Sequence, residues 1–199
     1  MSRWEPNARG RLEDAALALY TERGFDQTTV AEIAERAGLT ERTYFRHFAD
    51  KREVLFGGQS QLVDLLVSGI AEAPGTATPL DAVGLGLIAV GGVFDGRRDQ
   101  ARRRQAIVDA NPSLRERELI KLASLAVDMT DALRRRGVSE WSARLAAETG
   151  MAVFKVAFEQ WIAASGQGLA AVVATVLDEL KNLTADVDTT VAIPGDQQP

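Results

Sequence analysis

Residues 28–51, TTVAEIAERAGLTERTYFRHFADK, have the pattern of two short helices joined by a tight turn. Thr29 and Glu32 are spaced as a capping box, in which each side chain bonds a backbone amide left free at the helix start. Gly38 supplies the left-handed backbone that ends this helix, and Thr40 caps the next one. Two helices that turn on a glycine form a helix-turn-helix motif, which we expect over about residues 29–48.

The second helix of the motif has two distinct faces. Tyr44 and Phe48 lie four residues apart and are expected to face inward. Arg42 and Arg46, also four apart, project from the opposite side with Thr43 between them. Arginine makes the commonest base-specific contact, to guanine, so Arg42 and Thr43 are our candidate base-reading residues. In the alternative interpretation, the two arginines only solvate an exposed helix face.

Positions around this helix suit contacts to the DNA backbone. His47 and Phe45 fall on its flanks, and histidine more often holds phosphate oxygens than reads bases. Lys51 begins the following segment and could hold a phosphate, as could the backbone amides at the helix starts of Thr29 and Thr40.

Residues 16–55, ALALYTERGFDQTTVAEIAERAGLTERTYFRHFADKREVL, resemble the amino-terminal domain of the tetracycline-repressor (TetR) family of bacterial transcription regulators. The shared features are the Gly-Phe turn, the Thr-Thr helix entry, the Ala-Gly turn and the Thr-x-Tyr/Phe-x-His-Phe-x-x-Lys ending. The chain departs from the common pattern at Phe45, where a tyrosine often offers its hydroxyl to phosphate. It also departs at Arg42, where a small residue is frequent.

The resemblance implies where DNA would be contacted. Thr28 or Thr29, Thr43, His47 and Lys51 fall where family members touch DNA, and base contact usually begins at the positions of Glu41 and Arg42. Together with the reasoning from the helix faces, the expected DNA-binding residues are Thr28, Thr29, Thr40, Glu41, Arg42, Thr43, Phe45, Arg46, His47 and Lys51.

Composition describes a chain with a substantial core and no thiol chemistry. The 199 residues are 46% hydrophobic and contain no cysteine, which excludes disulfides and thiolate metal sites. The first ten residues, MSRWEPNARG, lack the apolar core of a signal peptide, and no run reaches the roughly 18 uninterrupted apolar residues of a membrane span. We expect a cytoplasmic protein without a membrane partner.

Because the net charge of the chain is negative, the cations that bind DNA would have to be grouped locally. The chain carries −5 at pH 7, so it should not coat DNA indiscriminately. A local patch is expected instead, and its binding to DNA should be sequence-specific and weaken with salt. The candidate members of the patch are Arg9, Arg11, Arg42, Arg46, Lys51 and Arg52.

The rest of the chain is predicted to be helical, giving an all-α fold of about nine helices. We expect a three-helix DNA-binding domain over residues 1–56, an effector-binding and dimerisation domain over 57–183, and a disordered tail over 184–199. A fourth helix is predicted from 51 to about 72, followed by the glycine-rich segment LDAVGLGLIAVGGVF, for which the glycines leave three alternatives: a bend, close packing or room for a ligand. The arginines at 102–104 are interpreted as a solvated face.

The last two predicted helices, 139–165 and 168–183, carry apolar residues around much of their circumference. A second hydrophobic surface indicates a partner. The resemblance implies that these helices form a four-helix dimer bundle, and a twofold dimer would read a roughly palindromic operator in double-stranded DNA. The alternative is that they form the core of a monomer.

The resemblance also implies an unknown small-molecule effector, held among helices 4 to 8. Candidate lining residues are aromatic side chains for an apolar cavity, and a lysine with one of two glutamates for a polar end: Phe94, Trp141, Phe154, Phe158 and Trp161, with Lys155 and either Glu148 or Glu159. Core packing is the alternative role for the aromatics.

Catalysis is not indicated by the sequence. The single histidine lies in the predicted recognition helix, and no spacing singles out a nucleophile with its base, a metal site or a cofactor site. We therefore expect a transcriptional repressor that an effector releases from its operator, and no enzyme. The alternatives are a helical interaction or ligand-binding protein without DNA readout and, less favoured, a helical enzyme.

Overall fold

The computed structural model describes residues 7–185, and within them it contains nine α helices, one turn of 3-10 helix and no strand. This confirms the all-α prediction. The tail predicted from 184 overlaps the last helix by two residues, and residues 186–199 lie outside the described part of the chain. In order, the elements are α1 (Ala8–Arg23), α2 (Val30–Arg36), α3 (Glu41–His47), η1 (Glu53–Phe56), α4 (Gln59–Glu72), α5 (Pro79–Val93), α6 (Arg98–Ala110), α7 (Pro112–Arg135), α8 (Glu140–Ala163) and α9 (Leu169–Ala185).

The helix-turn-helix forms as its capping residues predict. The Thr29 amide donates to the Glu32 carboxylate at 2.8 Å, and the Glu32 amide donates to the Thr29 hydroxyl at 3.3 Å. Gly38 has a φ of 66° in the turn between α2 and α3. The Thr43 amide then donates to the Thr40 hydroxyl at 3.2 Å, which fixes the start of α3.

The prediction of one continuous fourth helix from residue 51 is wrong. The structure has η1, then the pair Gly57 and Gly58, and only then α4. Two adjacent glycines lower helix stability, because glycine loses more backbone entropy than any other residue when it is ordered. The connection between the DNA-binding region and the body is therefore a jointed segment and not a single rod.

The glycines of α5 permit close helix packing. A Cβ atom at Gly86 would lie 2.7 Å from the carbonyl oxygen of Leu66 on α4. A Cβ atom at Gly91 would lie 2.6 Å from the backbone nitrogen of Ala170 on α9. Of the three possibilities that the sequence left open for this segment, close packing is the one observed.

Two hydrophobic clusters organise the described residues. The body cluster draws on α4, α5, α7, α8 and α9, and it includes Leu66, Val83, Met129 and Trp161. The head cluster is built on α1, α2, α3 and η1, but Ile107, Val108 and Leu114 from the corner between α6 and α7 also belong to it. The head thus packs directly against the body.

Two stretches are long and apolar enough to cross a membrane by length and composition alone, which is weak evidence. The first is Glu53–Glu72, which the structure divides into η1 and α4, and α4 packs against α5 and α7. The second is α5 with α6, but only if the two are taken together across a bend of 102°.

Candidate nucleic-acid interface

Helix α3 is anchored through one aromatic face. Tyr44 and Phe48 are buried at 0% and 3% exposure, and their ring centroids lie 5.3 Å apart. The Tyr44 hydroxyl donates to the backbone oxygen of Asp50 at 3.2 Å. With this face fixed in the core, the opposite face of a seven-residue helix must point to solvent. The prediction that these two aromatics face inward is confirmed.

Arg42 and Arg46 lie on that solvent face, and both are exposed. Within residues 7–185 neither makes a hydrogen bond or an ion pair. An arginine without a partner keeps its five donors available for base edges or phosphates. The guanidinium groups of both arginines are therefore available to bind a ligand at the exposed face of α3.

The other cations of the expected patch are engaged within the protein. Arg9 pairs with Glu13 at 3.1 Å and Arg52 pairs with Asp50 at 2.9 Å. The guanidinium of Arg11 donates to the backbone oxygen of Ala37. The prediction of a six-member patch is corrected accordingly, because these side chains meet nearby acceptors that the sequence did not reveal.

Lys51 and Thr28 act inside the domain. The Lys51 ammonium donates to the backbone oxygens of Phe25 at 2.7 Å and Thr28 at 3.0 Å, and it lies 4.2 Å from the centroid of the Phe25 ring. Thr28 is 1% exposed and its hydroxyl donates to the Gly24 backbone oxygen at 2.9 Å. Thr28 as a DNA contact is therefore wrong, because its side chain is buried. Lys51 fastens the loop between α1 and α2.

The remaining positions near the helix starts are accessible. Thr29, Thr40 and Glu41 are exposed, and Thr43 is half-buried with its hydroxyl 3.1 Å from that of Thr40. These residues lie at the start of α2 and in the first turn of α3, so they remain predicted contacts.

Phe45 and His47 occupy the flanks of α3 as expected, in different environments. Phe45 is 54% exposed and its ring meets that of Tyr44 edge to face, with centroids 5.6 Å apart. The Nε2 atom of His47 is buried and has no hydrogen-bond partner among the described residues. Burial, followed by the positive charges of Arg46 and Arg9, lowers the pKa of His47, so this side chain is neutral near pH 7.

A cavity of about 770 Å³ lies between the head and the body. Phe94, Phe154, Lys155 and Phe158 line it, as the sequence predicted for its effector candidates. Trp161 does not line the cavity. Its ring packs against the lining residues Phe94 and Phe158, with ring centroids 5.7 Å apart in each pair.

Two effector candidates lie elsewhere. Trp141 is 76% exposed, and Glu148 is exposed on the same outer face of α8. The two residues are seven positions apart, which is two helical turns, so they share a side that does not face the cavity. Their assignment to the effector site is wrong.

The cavity reaches the head through residues that sequence reasoning missed. Arg104 donates from Nε to the backbone oxygen of Leu55 at 3.1 Å, lies 4.8 Å from the Phe56 ring centroid and pairs with Glu118. Arg104 is only 22% exposed, so it is no part of a solvated face. No signal in the run of arginines distinguishes it from Arg102 and Arg103, because its partners are distant in sequence.

The described residues contain no group of three or more histidine, aspartate and glutamate side chains that could hold a metal ion. The two features that the structure does present are an exposed recognition helix and an internal cavity that touches the domain bearing it. Together they define a helical protein of the helix-turn-helix class with an internal cavity.

Comparison with known proteins supports the resemblance to a known family. The family model "Bacterial regulatory proteins, tetR family" matches residues 12–56. This match confirms the resemblance seen in the sequence of the amino-terminal domain. The HTH-type transcriptional regulator TcmR of Streptomyces glaucescens is 37% identical over 89 residues. That match covers 44% of this chain and 39% of TcmR, so the chain spans about two fifths of that relative.

Solved structures match most of the chain in fold. FadR from Bacillus subtilis in complex with stearoyl-CoA has a TM-score of 0.61 at 21% identity, and the match covers 86% of this chain and 96% of that one. The SmeT–triclosan complex has a TM-score of 0.62 at 20% identity, with 96% and 99% covered. At these identities the likeness concerns the fold alone.

Proposed function

We propose that this protein is a homodimeric transcriptional repressor that a small-molecule effector releases from a palindromic operator. The observation that carries the proposal is α3, on which the Arg42 and Arg46 side chains are exposed and have no hydrogen-bond or ion-pair partner among the described residues. We further infer a cytoplasmic location, no membrane partner and no enzymatic role. Whether the regulator represses or activates depends on where its operator lies relative to a promoter, and repression is the version we adopt.

Dimerisation is supported by an exposed apolar stripe on α8. Trp141, Leu145 and Val156 are exposed although they are large and hydrophobic, and their spacing places them on one side of the helix. Leu183 on α9 is exposed as well. Several large apolar side chains exposed on one side of a helix are unfavourable in water and indicate a protein interface. A second copy of the chain is the partner that the twofold reading of DNA requires.

An oligomeric-state measurement tests the dimer. Leu145→Glu should convert the wild-type dimer to a monomer in analytical ultracentrifugation, because a charge would be buried without a partner. Leu119→Glu is the matched control, since Leu119 is a comparably exposed leucine on α7. A monomeric wild type, or equal effects of the two variants, would contradict the proposal.

The cavity supports an apolar or amphipathic effector. Its volume lies within the range of about 300–1,000 Å³ usual for small-molecule sites, and its aromatic and aliphatic lining favours apolar surface. FadR was solved with stearoyl-CoA and SmeT with triclosan, so the fold accommodates ligands of this character. Arg97 and Lys155 line the cavity too, and both are exposed cations whose side chains make no hydrogen bond or ion pair within residues 7–185.

The route from effector to DNA would run through the wall that the cavity shares with the head. Arg104 and Glu118 line the cavity, and Arg104 holds Leu55 and Phe56 of η1. A ligand that displaces this arginine would shift η1, and with it the α3 that precedes it. A coupling free energy of about 1–3 kcal/mol would change operator affinity roughly 5- to 150-fold.

Selection of bound duplexes from a random DNA pool tests DNA recognition directly. The intact protein at near-physiological salt should enrich a palindromic motif. No enrichment would favour the alternative of a helical interaction or ligand-binding protein.

With the operator known, a displaceable fluorescent probe such as 1-anilinonaphthalene-8-sulfonate can report on the cavity. Leu125→Trp should block the probe, whereas Leu119→Trp on the exposed side of the same helix should not.

A further inference from the structure

We propose that Phe45 reads a thymine in the operator by packing against the C5 methyl group in the major groove. The proposal rests on the DNA-binding function above and assigns a base to a residue for which neither motif nor family model does so. The observation behind it is the exposure of Phe45 on the surface of the head.

Phe45 is the exposed aromatic of an otherwise buried set. The other phenylalanine and tyrosine rings of the head are at most 9% exposed, whereas Phe45 is 54% exposed. The buried members of the set are Tyr20, Phe25, Tyr44, Phe48 and Phe56. Keeping a phenyl ring in water is unfavourable, since burial of apolar surface is the main favourable term in folding and association. The ring is therefore placed where a partner can cover it.

The ring stands on a rigid support. Its edge-to-face partner Tyr44 is fully buried, packs on Phe48 and is held by its hydroxyl to the Asp50 backbone. A side chain supported in this way loses little freedom on binding, which favours a specific contact over a diffuse one.

Position identifies the partner as DNA. Phe45 is next to Arg46 and one helical turn after Arg42, the two unengaged cations of the recognition helix. If those arginines enter a major groove, the Phe45 ring enters it beside them. Any other occupant of this surface would have to displace the DNA that the arginines contact.

The chemistry of the ring then selects the base. A phenyl group has no donor or acceptor, so it cannot hold a phosphate oxygen or the polar edge of guanine, adenine or cytosine. The apolar group that the major groove displays is the C5 methyl of thymine. We therefore expect a thymine in each half-site, adjacent to the base pair that Arg42 contacts.

Replacement of thymine by deoxyuridine tests this contact, because it removes the methyl group and leaves base pairing intact. The operator is first selected from random duplexes by the full-length protein. Each thymine of the half-site is then replaced by deoxyuridine in turn, and dissociation constants are measured for wild type and Phe45→Ala. Since Phe45 is exposed, the alanine variant should keep the wild-type thermal midpoint, which verifies that it folds.

Wild type should lose about fourfold in affinity at one thymine position per half-site, the effect of burying a single methyl group. Phe45→Ala should bind the thymine and deoxyuridine operators equally. Phe45→Tyr keeps the ring and should keep the discrimination. Leu119→Ala, which removes an exposed side chain from the body, should behave as wild type.

Three results would overturn the inference. Insensitivity of the wild type to deoxyuridine at every thymine of a well-defined operator would contradict the inference and leave the proposed function intact. A penalty for Phe45→Ala equal to that of the wild type would assign the methyl contact to another residue. Failure of the wild-type protein to enrich any motif would remove the proposed function together with this inference.

Discussion

Glu53 of η1 and Lys121 of α7 form an ion pair with 3.0 Å between carboxylate oxygen and ammonium nitrogen, although 68 positions separate them in the chain. Arg117 donates to the same carboxylate at 2.6 Å. The Glu53 side chain is 16% exposed, so the pair is partly shielded from water. This carboxylate ties the segment after the recognition helix to α7 of the body.

Glu53→Gln should lower the free energy of unfolding by about 1–3 kcal/mol, because two partly buried cations lose their counter-charge. Urea denaturation measures the change. Glu140→Gln is the matched control, since Glu140 pairs with Arg134 at the exposed surface and should contribute less than about 1 kcal/mol. Equal effects of the two substitutions would show that the Glu53 contacts are no stronger than a surface pair.

Arg42→Ala should weaken binding to the selected operator by about 1–3 kcal/mol and relax the preference at one base position. Repeating the random-duplex selection with the variant reveals the relaxed position. Arg134→Ala, which removes an exposed arginine from the body, should leave both affinity and motif unchanged. A uniform loss across all sequences would reassign Arg42 to a phosphate.

Lys51→Met should destabilise the head by about 1–3 kcal/mol, because two backbone oxygens lose a charged donor. The dependence of operator affinity on salt separates this role from a phosphate contact. If Lys51 acts only inside the domain, the slope of log affinity against log salt should stay at its wild-type value. A slope reduced by about one would place a phosphate on Lys51 after all.

The sequence was sufficient for the helix-turn-helix because its signals are local. The Thr29 and Glu32 capping box, the Gly38 turn and the Thr40 cap each involve residues within a few positions of one another. The cation patch could not be predicted in the same way. Whether an arginine is free depends on acceptors such as the Ala37 backbone oxygen beside Arg11, which lies 26 positions away.

The lining of the cavity was predictable in part for a related reason. Apolar residues surround α8 on most sides, so its composition indicates two buried surfaces without telling which residue belongs to which. Phe154 and Phe158 face the cavity, while Trp141 faces outward. Arg104 was missed because its role depends on the path of η1, which arrives from a different part of the chain.

Gly86→Ala should destabilise the protein by about 1–3 kcal/mol, because the new methyl group would meet the Leu66 backbone oxygen of α4. Gly92→Ala tests the same substitution in the same helix where no atom lies within 4 Å. That variant should be stabilised by up to about 1 kcal/mol through helix propensity. Thermal unfolding of the two variants should therefore shift in opposite directions, and a shift in the same direction would contradict the close crossing of α4 and α5.

The free energy of unfolding should fall as the pH drops from about 7 through 6.5, the ordinary pKa of a histidine side chain. The pKa of His47 is lower than this in the folded protein, so the unfolded chain binds more protons over that window. His47 is the one histidine of the sequence, which makes the assignment direct. His47→Gln should flatten the dependence of the thermal midpoint on pH between 5 and 7. An unchanged dependence would attribute it to other groups.

The packing of Ile107, Val108 and Leu114 into the head cluster constrains how such regulators can be recombined. A chimera that transplants only residues up to 56 would leave a gap in the incoming head and an uncovered apolar corner on the recipient body. A chimera designed to join this body to a head that binds a different operator must also include the corner between α6 and α7 that belongs to that head. Otherwise the incoming head must match the volumes of Ile107, Val108 and Leu114. In this protein the head can therefore be exchanged only together with the residues that pack against it, although these residues are not adjacent to it in sequence.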